Sequence, residues 1–161
     1  MKKFIPNRGF TLIELMIVLA VAAILVAVAI PSFRQTIMNN RMASTANGIV
    51  GAISFARSEA VKRGGEVRLE QLNGGWGNGI VVWVDSDGDN ARDDGEEIRL
   101  WSAMDGKSTL SSTQNAFTFN ALGRVDNGDK LTLCDSRTGE IGREILLLTS
   151  GAVSIKNTTC S

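Results

Sequence analysis

Glu14 is the one ionisable side chain between Phe10 and Ile30, where every other residue except Thr11 is apolar. A carboxylate in hydrocarbon takes up a proton or finds a cation, because the unpaired charge is far more costly there than in water. An intramembrane carboxylate is therefore a functional residue by default, although one near a helix end can also reach back to the headgroups. A second group is acidic. Asp85, Asp87, Asp89, Asp93 and Glu96 occupy positions 1, 3, 5, 9 and 12 of a twelve-residue stretch. That is the ligand spacing of an EF-hand calcium loop. Position 6 is Asn90 where such loops carry glycine, and strand-like rather than helical sequence lies on both sides. The expectation is a solvated polar turn, with calcium binding by these five residues as the alternative and no other cofactor.

Composition removes several chemistries. The chain has no histidine, so neither a Ser–His–Asp triad nor an imidazole acid–base pair can be built. No other nucleophile–base pair is recognisable, and an enzyme is not expected. Cys134 and Cys160, with no histidine to join them, make a poor zinc site. In an oxidising compartment a disulfide between them is favoured over two free thiols. There are 17 basic and 17 acidic side chains. Removing Lys2, Lys3 and Arg8 would leave 14 basic against 17 acidic, a formal charge of −3. A mildly acidic chain is a poor prior for non-specific phosphate binding.

These residues need a membrane-length helix and a small domain to hold them. With Phe10 to Leu15, the unbroken apolar run to Ile30 covers about 20 residues, enough at ~1.5 Å each to cross a hydrocarbon core of ~30 Å. Lys2, Lys3 and Arg8 precede it, which puts that end in the cytoplasm and the remainder outside. Pro31 is expected to kink or interrupt the helix. Beyond it Phe33, Ile37, Met42, Ala46, Ile49, Ile53, Ala56 and Ala60 recur at helical steps, which predicts a helix reaching Arg63 with Gly64-Gly65 as its stop. Gly48 and Gly51 are expected to allow close packing. Past Gly65 short apolar runs predict strands at Val67–Leu72, Gly79–Val84, Ile98–Trp101, Phe117–Phe119, Leu131–Leu133, Ile145–Leu148 and Val153–Ile155, separated by Gly-, Asn- and Asp-rich links. The fold class is α+β: a long N-terminal helix, transmembrane then amphipathic, packed on an antiparallel sheet or two small ones.

From Arg8-Gly9-Phe10 through Glu14 to Pro31 the sequence resembles the class III signal of type IV pilins and type II secretion pseudopilins. In that family a peptidase cuts after the glycine and methylates the new N-terminal phenylalanine. The resemblance implies a leader over 1–9, a membrane segment over 10–30 and a periplasmic pilin domain within 31–161, with Gly9 and Phe10 as the processing site. It also implies that Glu14, fifth in the processed chain, meets the α-amine of Phe10 on a neighbouring subunit during assembly. Ala56-Arg57-Ser58-Glu59-Ala60, Trp76-Gly77-Asn78-Gly79 before Val82-Trp83-Val84-Asp85, and Phe117-Thr118-Phe119 before Gly123 are similar to the GspH/FimT branch. Cys134-Asp135-Ser136-Arg137 with a second cysteine near the C-terminus is similar to the FimT/FimU minor pilins.

On this resemblance the expected function is a minor pilin that helps prime assembly of a type IV pilus and sits at or near its tip. Its partners would be other minor pilins, the major pilin, the prepilin peptidase and inner-membrane lipid. It would begin as a single-pass inner-membrane protein with a periplasmic domain and end in the filament. One alternative is an H-type pseudopilin of type II secretion. The other is a DNA receptor, because Gly142-Arg143 matches half of a Gly-Arg-x-Arg stretch of DNA-binding relatives. Ile145 stands where the second Arg would be, and Lys130, Arg137 and Lys156 are offset by Asp129, Asp135, Glu140 and Glu144.

Overall fold

The structure, a computed structural model, describes residues 9–160. The basic residues Lys2, Lys3 and Arg8 and the leader up to residue 8 lie outside the described residues. One helix, α1 (Leu12–Arg63), runs without interruption through Pro31. The chain divides into two compact units, one ending at Asn39 and one of Asn40–Ser161.

In the first unit the apolar side chains from Leu12 to Ile30 are exposed. So are Phe33 and Ile37, which corrects their expected place on a buried stripe: the buried face starts only at Met42. Residues 33 and 37 continue the uncovered character of the preceding run.

In the second unit α1 buries Met42, Ala46, Ile49, Ala52, Ile53, Ala56 and Ala60. The four alanines on this face are small enough for a sheet backbone to approach the helix closely. Gly48 and Gly51 do not contribute, since a Cβ on either would meet nothing. The helix ends where the glycines predict. Gly64 adopts φ +66°, and the N–H groups of Gly64 and Gly65 both donate to the Ala60 carbonyl, at 3.0 and 3.3 Å. This left-handed cap satisfies a carbonyl the last turn would otherwise leave open.

Two four-stranded antiparallel sheets follow. The first has the order β3-β2-β1-β5 and the second β4-β6-β7-β8. Their strands are β1 (Val67–Leu72), β2 (Gly75–Trp83), β3 (Glu97–Trp101), β4 (Ser108–Ser111), β5 (Ala116–Phe119), β6 (Asp129–Asp135), β7 (Gly139–Leu147) and β8 (Val153–Cys160). Period-2 alternation sends Val67, Leu69, Phe117 and Phe119 of the first sheet into the core, and Leu131, Leu133, Ile145 and Leu147 of the second. Strand β2 departs from alternation: Ile80, Val81, Val82 and Trp83 are all buried. On its outer face Arg68 covers the Trp83 ring, 5.1 Å from the centroid, and the indole N–H donates to Glu70 Oε2 at 2.8 Å.

Strand β4 is absent from the sequence expectation. Leu110 is its one apolar residue, and pairing with β6 through Leu110↔Leu133 makes it a strand. Strands β6, β7 and β8 outrun their apolar cores for the same reason, since register with a neighbour extends them into polar sequence.

Candidate functional site

At the start of α1 the backbone of Gly9 and Phe10 is non-helical and exposed. Thr11 and Glu14 form a reciprocal cap. The Thr11 N–H and hydroxyl both donate to Glu14 Oε2, at 2.9 and 2.8 Å, and the Glu14 N–H donates to Thr11 Oγ1 at 3.3 Å. This is the Thr-x-x-Glu capping box, which satisfies the first orphan donors of a helix and sets its start. Thr11 is not singled out above, although the Thr-x-x-Glu spacing of three carries the signal. Glu14 therefore has a local structural role beside any role between subunits.

At the other end of the chain Cys134 and Cys160 form a disulfide, their Cα atoms 5.8 Å apart. It joins β6 to β8 across the start of β7, the strand between them. Gly142 makes this crossing possible. A Cβ there would lie 2.5 Å from Cys160 Sγ and 3.0 Å from the Leu133 carbonyl. The glycine of the Gly142-Arg143 pair is thus a packing residue under the disulfide.

Arg143 is half-buried and donates to the Gly142 carbonyl at 3.0 Å. The cations expected to support it are paired. Lys130 and Lys156 both reach Glu144, at 3.3 and 2.9 Å, and Arg137 binds Asp135 at 2.6 Å. The hydrogen bond from Lys156 leads the causes that hold the Glu144 carboxyl below its ordinary range. The Arg137 side chain does the same for Asp135. Lys130, Lys156 and Arg137 are thus each engaged by a carboxylate.

The acidic loop joins β2 to β3. Asp85, Asp87 and Asp89 each place a carboxylate oxygen within 4.8 Å of the others. Asp93 and Glu96 fall outside that group. Glu96 is buried, and its two oxygens accept the Ser86 N–H at 2.6 Å and the Asp93 N–H at 3.1 Å. Asp85 likewise accepts from the Gly88 and Asn90 amides, at 2.7 and 3.0 Å. Asn90 takes the left-handed conformation, φ 65°, and its carbonyl and side-chain oxygens both accept from Arg68. The loop is thus folded on its own amides and on Arg68. Repulsion from Asp89, then partial burial, pushes the Asp93 carboxyl up.

Asp129 carries no signal in the sequence. Its Oδ2 accepts from Ser112 Oγ at 2.5 Å, Thr113 Oγ1 at 2.9 Å and Thr113 N–H at 3.0 Å, tying the β4–β5 link to β6. Burial raises its pKa, but hydrogen bonds from Ser112, the Lys130 amide and Thr113 outweigh that and hold it at about 2.

A family model described as "Type II transport protein GspH" matches residues 45–151, and one described as "Prokaryotic N-terminal methylation motif" matches residues 6–30. Among curated proteins, the pilin-like protein PilA1 of Thermus thermophilus is 34% identical over 94 residues, covering 57% of each chain. The fimbrial protein EcpC of Eikenella corrodens is 44% identical over 51 residues, 30% of this chain and 33% of that one. The chain therefore spans between a third and about three-fifths of the length of these relatives. Among solved structures, two crystal forms of the type IV minor pilin FimU of Pseudomonas aeruginosa superpose with TM-scores of 0.64 and 0.61, each at 20% identity. The first covers 76% of this chain and 94% of that one, and the second 73% and 96%. At this identity the superposition establishes the fold: a long N-terminal apolar helix packed on antiparallel sheet. With the two family models covering the helix start and most of the domain, the chain belongs to the GspH/FimT family of type IV pilin-like proteins.

Proposed function

We propose that this chain is a minor pilin of a type IV pilus, a non-enzymatic subunit that helps prime assembly at or near the tip. The observation that carries the reading is the uncovered run from Leu12 to Ile30. Its apolar side chains are exposed in the chain itself and suit first a bilayer, then the apolar helices of neighbouring subunits. A peptidase would cut the exposed, non-helical Gly9–Phe10 bond and methylate the new amine. That α-amine, on this or a neighbouring subunit, is the cation that Glu14 meets in a low-dielectric environment, where pairing decides whether the charge is tolerated. Partners would be other minor pilins and the major pilin, and the route would run from the inner membrane, with the domain in the periplasm, to the filament.

The matching family description also fits a second reading, an H-type pseudopilin of type II secretion, though no better. A DNA receptor is disfavoured because Lys130, Lys156 and Arg137 are already paired.

The test is deletion of the chain followed by shearing of surface filaments and assay of secreted proteins. We expect loss of piliation, restored by a copy that is found processed in the sheared fraction. Normal pili with failed secretion would replace the first reading with the second.

A further inference from the structure

We propose that Arg57, Val61, Leu122 and Arg124 form an interaction surface for a neighbouring protein that presents a carboxylate beside apolar side chains. The surface is built where three segments of the second unit meet. On α1, Arg57 and Val61 are one turn apart and share a face. The turn of residues 120–124 lies on that face: a Cβ on Gly123 would sit 2.9 Å from Arg57 Nε and 3.0 Å from Val61 Cγ2. The turn of residues 148–151 closes from the other side, since a Cβ on Gly151 would sit 3.1 Å from Arg57 Nε and 2.0 Å from the Gly123 carbonyl. Both glycines have positive φ, +70° and +76°. Two tight turns therefore hold the Arg57 side chain.

Held in this way, Arg57 has no acceptor among the described residues. No carboxylate lies within ion-pair distance of Arg57 or of Arg124, and neither side chain donates a hydrogen bond. The other cations of this end of the helix, Lys62 and Arg63, both use Glu59. Leu122 precedes Gly123 in the same turn and is 77% exposed, with Val61 at 53%. Its backbone is fixed: Asn120 Oδ1 accepts the N–H groups of Leu122 and Arg124, at 3.0 and 3.1 Å. The Asn120 N–H donates to the Arg124 carbonyl at 2.9 Å, and the Gly123 N–H donates to the Asn120 carbonyl at 2.8 Å.

Arginine is among the residues enriched at interface hot spots, and the fixed backbone of the turn lowers the ordering cost of binding. Two cations without a stacking aromatic fit an acidic protein surface better than a nucleic acid, which needs a longer basic track. The inference rests on the filament-subunit reading only for where the partner is met.

The test places the photo-crosslinking residue p-benzoylphenylalanine at position 122 of the full-length chain in its own cells, with the crosslinked peptide identified by mass spectrometry. The expected product is an adduct with another subunit of the filament, through a peptide that carries Asp or Glu next to apolar residues. Arg57→Glu with Arg124→Glu should lower the yield about tenfold or more, and Arg124→Glu alone by a smaller factor. Arg57→Lys with Arg124→Lys should largely preserve it. An intact Cys134–Cys160 disulfide on a non-reducing gel shows that each variant has folded. No protein adduct, a yield indifferent to charge reversal, or an adduct to nucleic acid overturns the surface. If the chain is processed and present in sheared pili but position 122 is silent, the surface fails and the filament reading stands. If the chain is absent from pili but forms a charge-dependent adduct through an acidic peptide of a protein outside the filament, the reverse holds.

Discussion

The two halves of α1 solve the same problem in opposite ways. From Met42 onward the helix is covered: seven side chains are buried against two sheets, and a disulfide closes the chain's far end on itself. From Leu12 to Ile37 the large apolar side chains are exposed, and among the described residues the one carboxylate is met by Thr11. The second half finds its partners within the chain, and the first must find them outside it. One continuous helix can thus be half covered core and half uncovered apolar rod, because burial is decided locally by what each turn faces.

The largest effect should come from breaking the outward-facing half at its charge. Glu14→Ala removes a costly carboxylate, so membrane insertion is eased rather than impaired. It also deletes the capping box, a loss of about 1 kcal/mol of helix stability. Glu14→Gln keeps an acceptor at the same position and so retains most of the cap. We expect both variants to be processed, membrane-resident and depleted from sheared filaments. Wild-type incorporation of Glu14→Gln alone would assign the role of Glu14 to the cap and not to its charge. A bulky residue in place of Gly9 should give the opposite defect, an uncut chain held in the membrane.

The next effect tests whether the inward-facing half is self-sufficient. A thiol assay on the denatured, unreduced protein should find no free cysteine. The disulfide closes a sequence separation of 26 residues, worth about 3.5 kcal/mol in the chain-entropy account. Reduction should lower the melting temperature of the domain from Asn40 onward by roughly 10–15 °C. Gly142→Val should mimic much of that loss even under oxidising conditions, because its side chain would overlap Cys160 Sγ. An unchanged melting temperature on reduction would show that the sheets close without the bond.

Asp129 gives a smaller, pH-dependent effect. Its folded-state pKa, about 2, lies below the ordinary 3.8. A depressed carboxylate stabilises the fold above the unfolded value, and that contribution fades as pH falls from about 4 through about 2. Asp129→Ala should cost about 1–2 kcal/mol at neutral pH after allowance for solvent screening and narrow the gap to wild type near pH 2. A gap independent of pH would assign the loss to packing. The smallest effect is expected at the acidic loop, where calcium up to millimolar concentration should leave the melting temperature unchanged. A rise with calcium, abolished by Asp85→Ala, would show that the Asp85–Asp87–Asp89 oxygens hold the ion.

The elements differ in how plainly the sequence announced them. The unbroken apolar run, the helical stripe from Met42 and the Gly64-Gly65 stop are local patterns of period and punctuation, and each was legible. Strand β4, with one apolar residue, was not, because it exists through Leu110↔Leu133 pairing. The five acidic residues at calcium-loop spacing were legible as a pattern. Yet Glu96 turned inward to accept two backbone amides, and Asp93 stayed outside the group. Spacing along a chain constrains ligands only when the backbone between them follows the expected loop.

Residue order by itself determined the membrane-length helix, the Gly9–Phe10 and Glu14 signature, the α+β class and the availability of two cysteines for one bond. Those features depend on neighbours within a few positions, so short-range periodicity and chemistry suffice. Tertiary structure decided that Phe33 and Ile37 stay uncovered, that Gly142 makes room for the disulfide, and that Lys130 and Lys156 share Glu144. It also decided that Arg57 lies against Gly123 and Gly151 with no acceptor among the described residues. Each of these is set by segments far apart in sequence, whose approach is fixed only when the helix and both sheets close around one core.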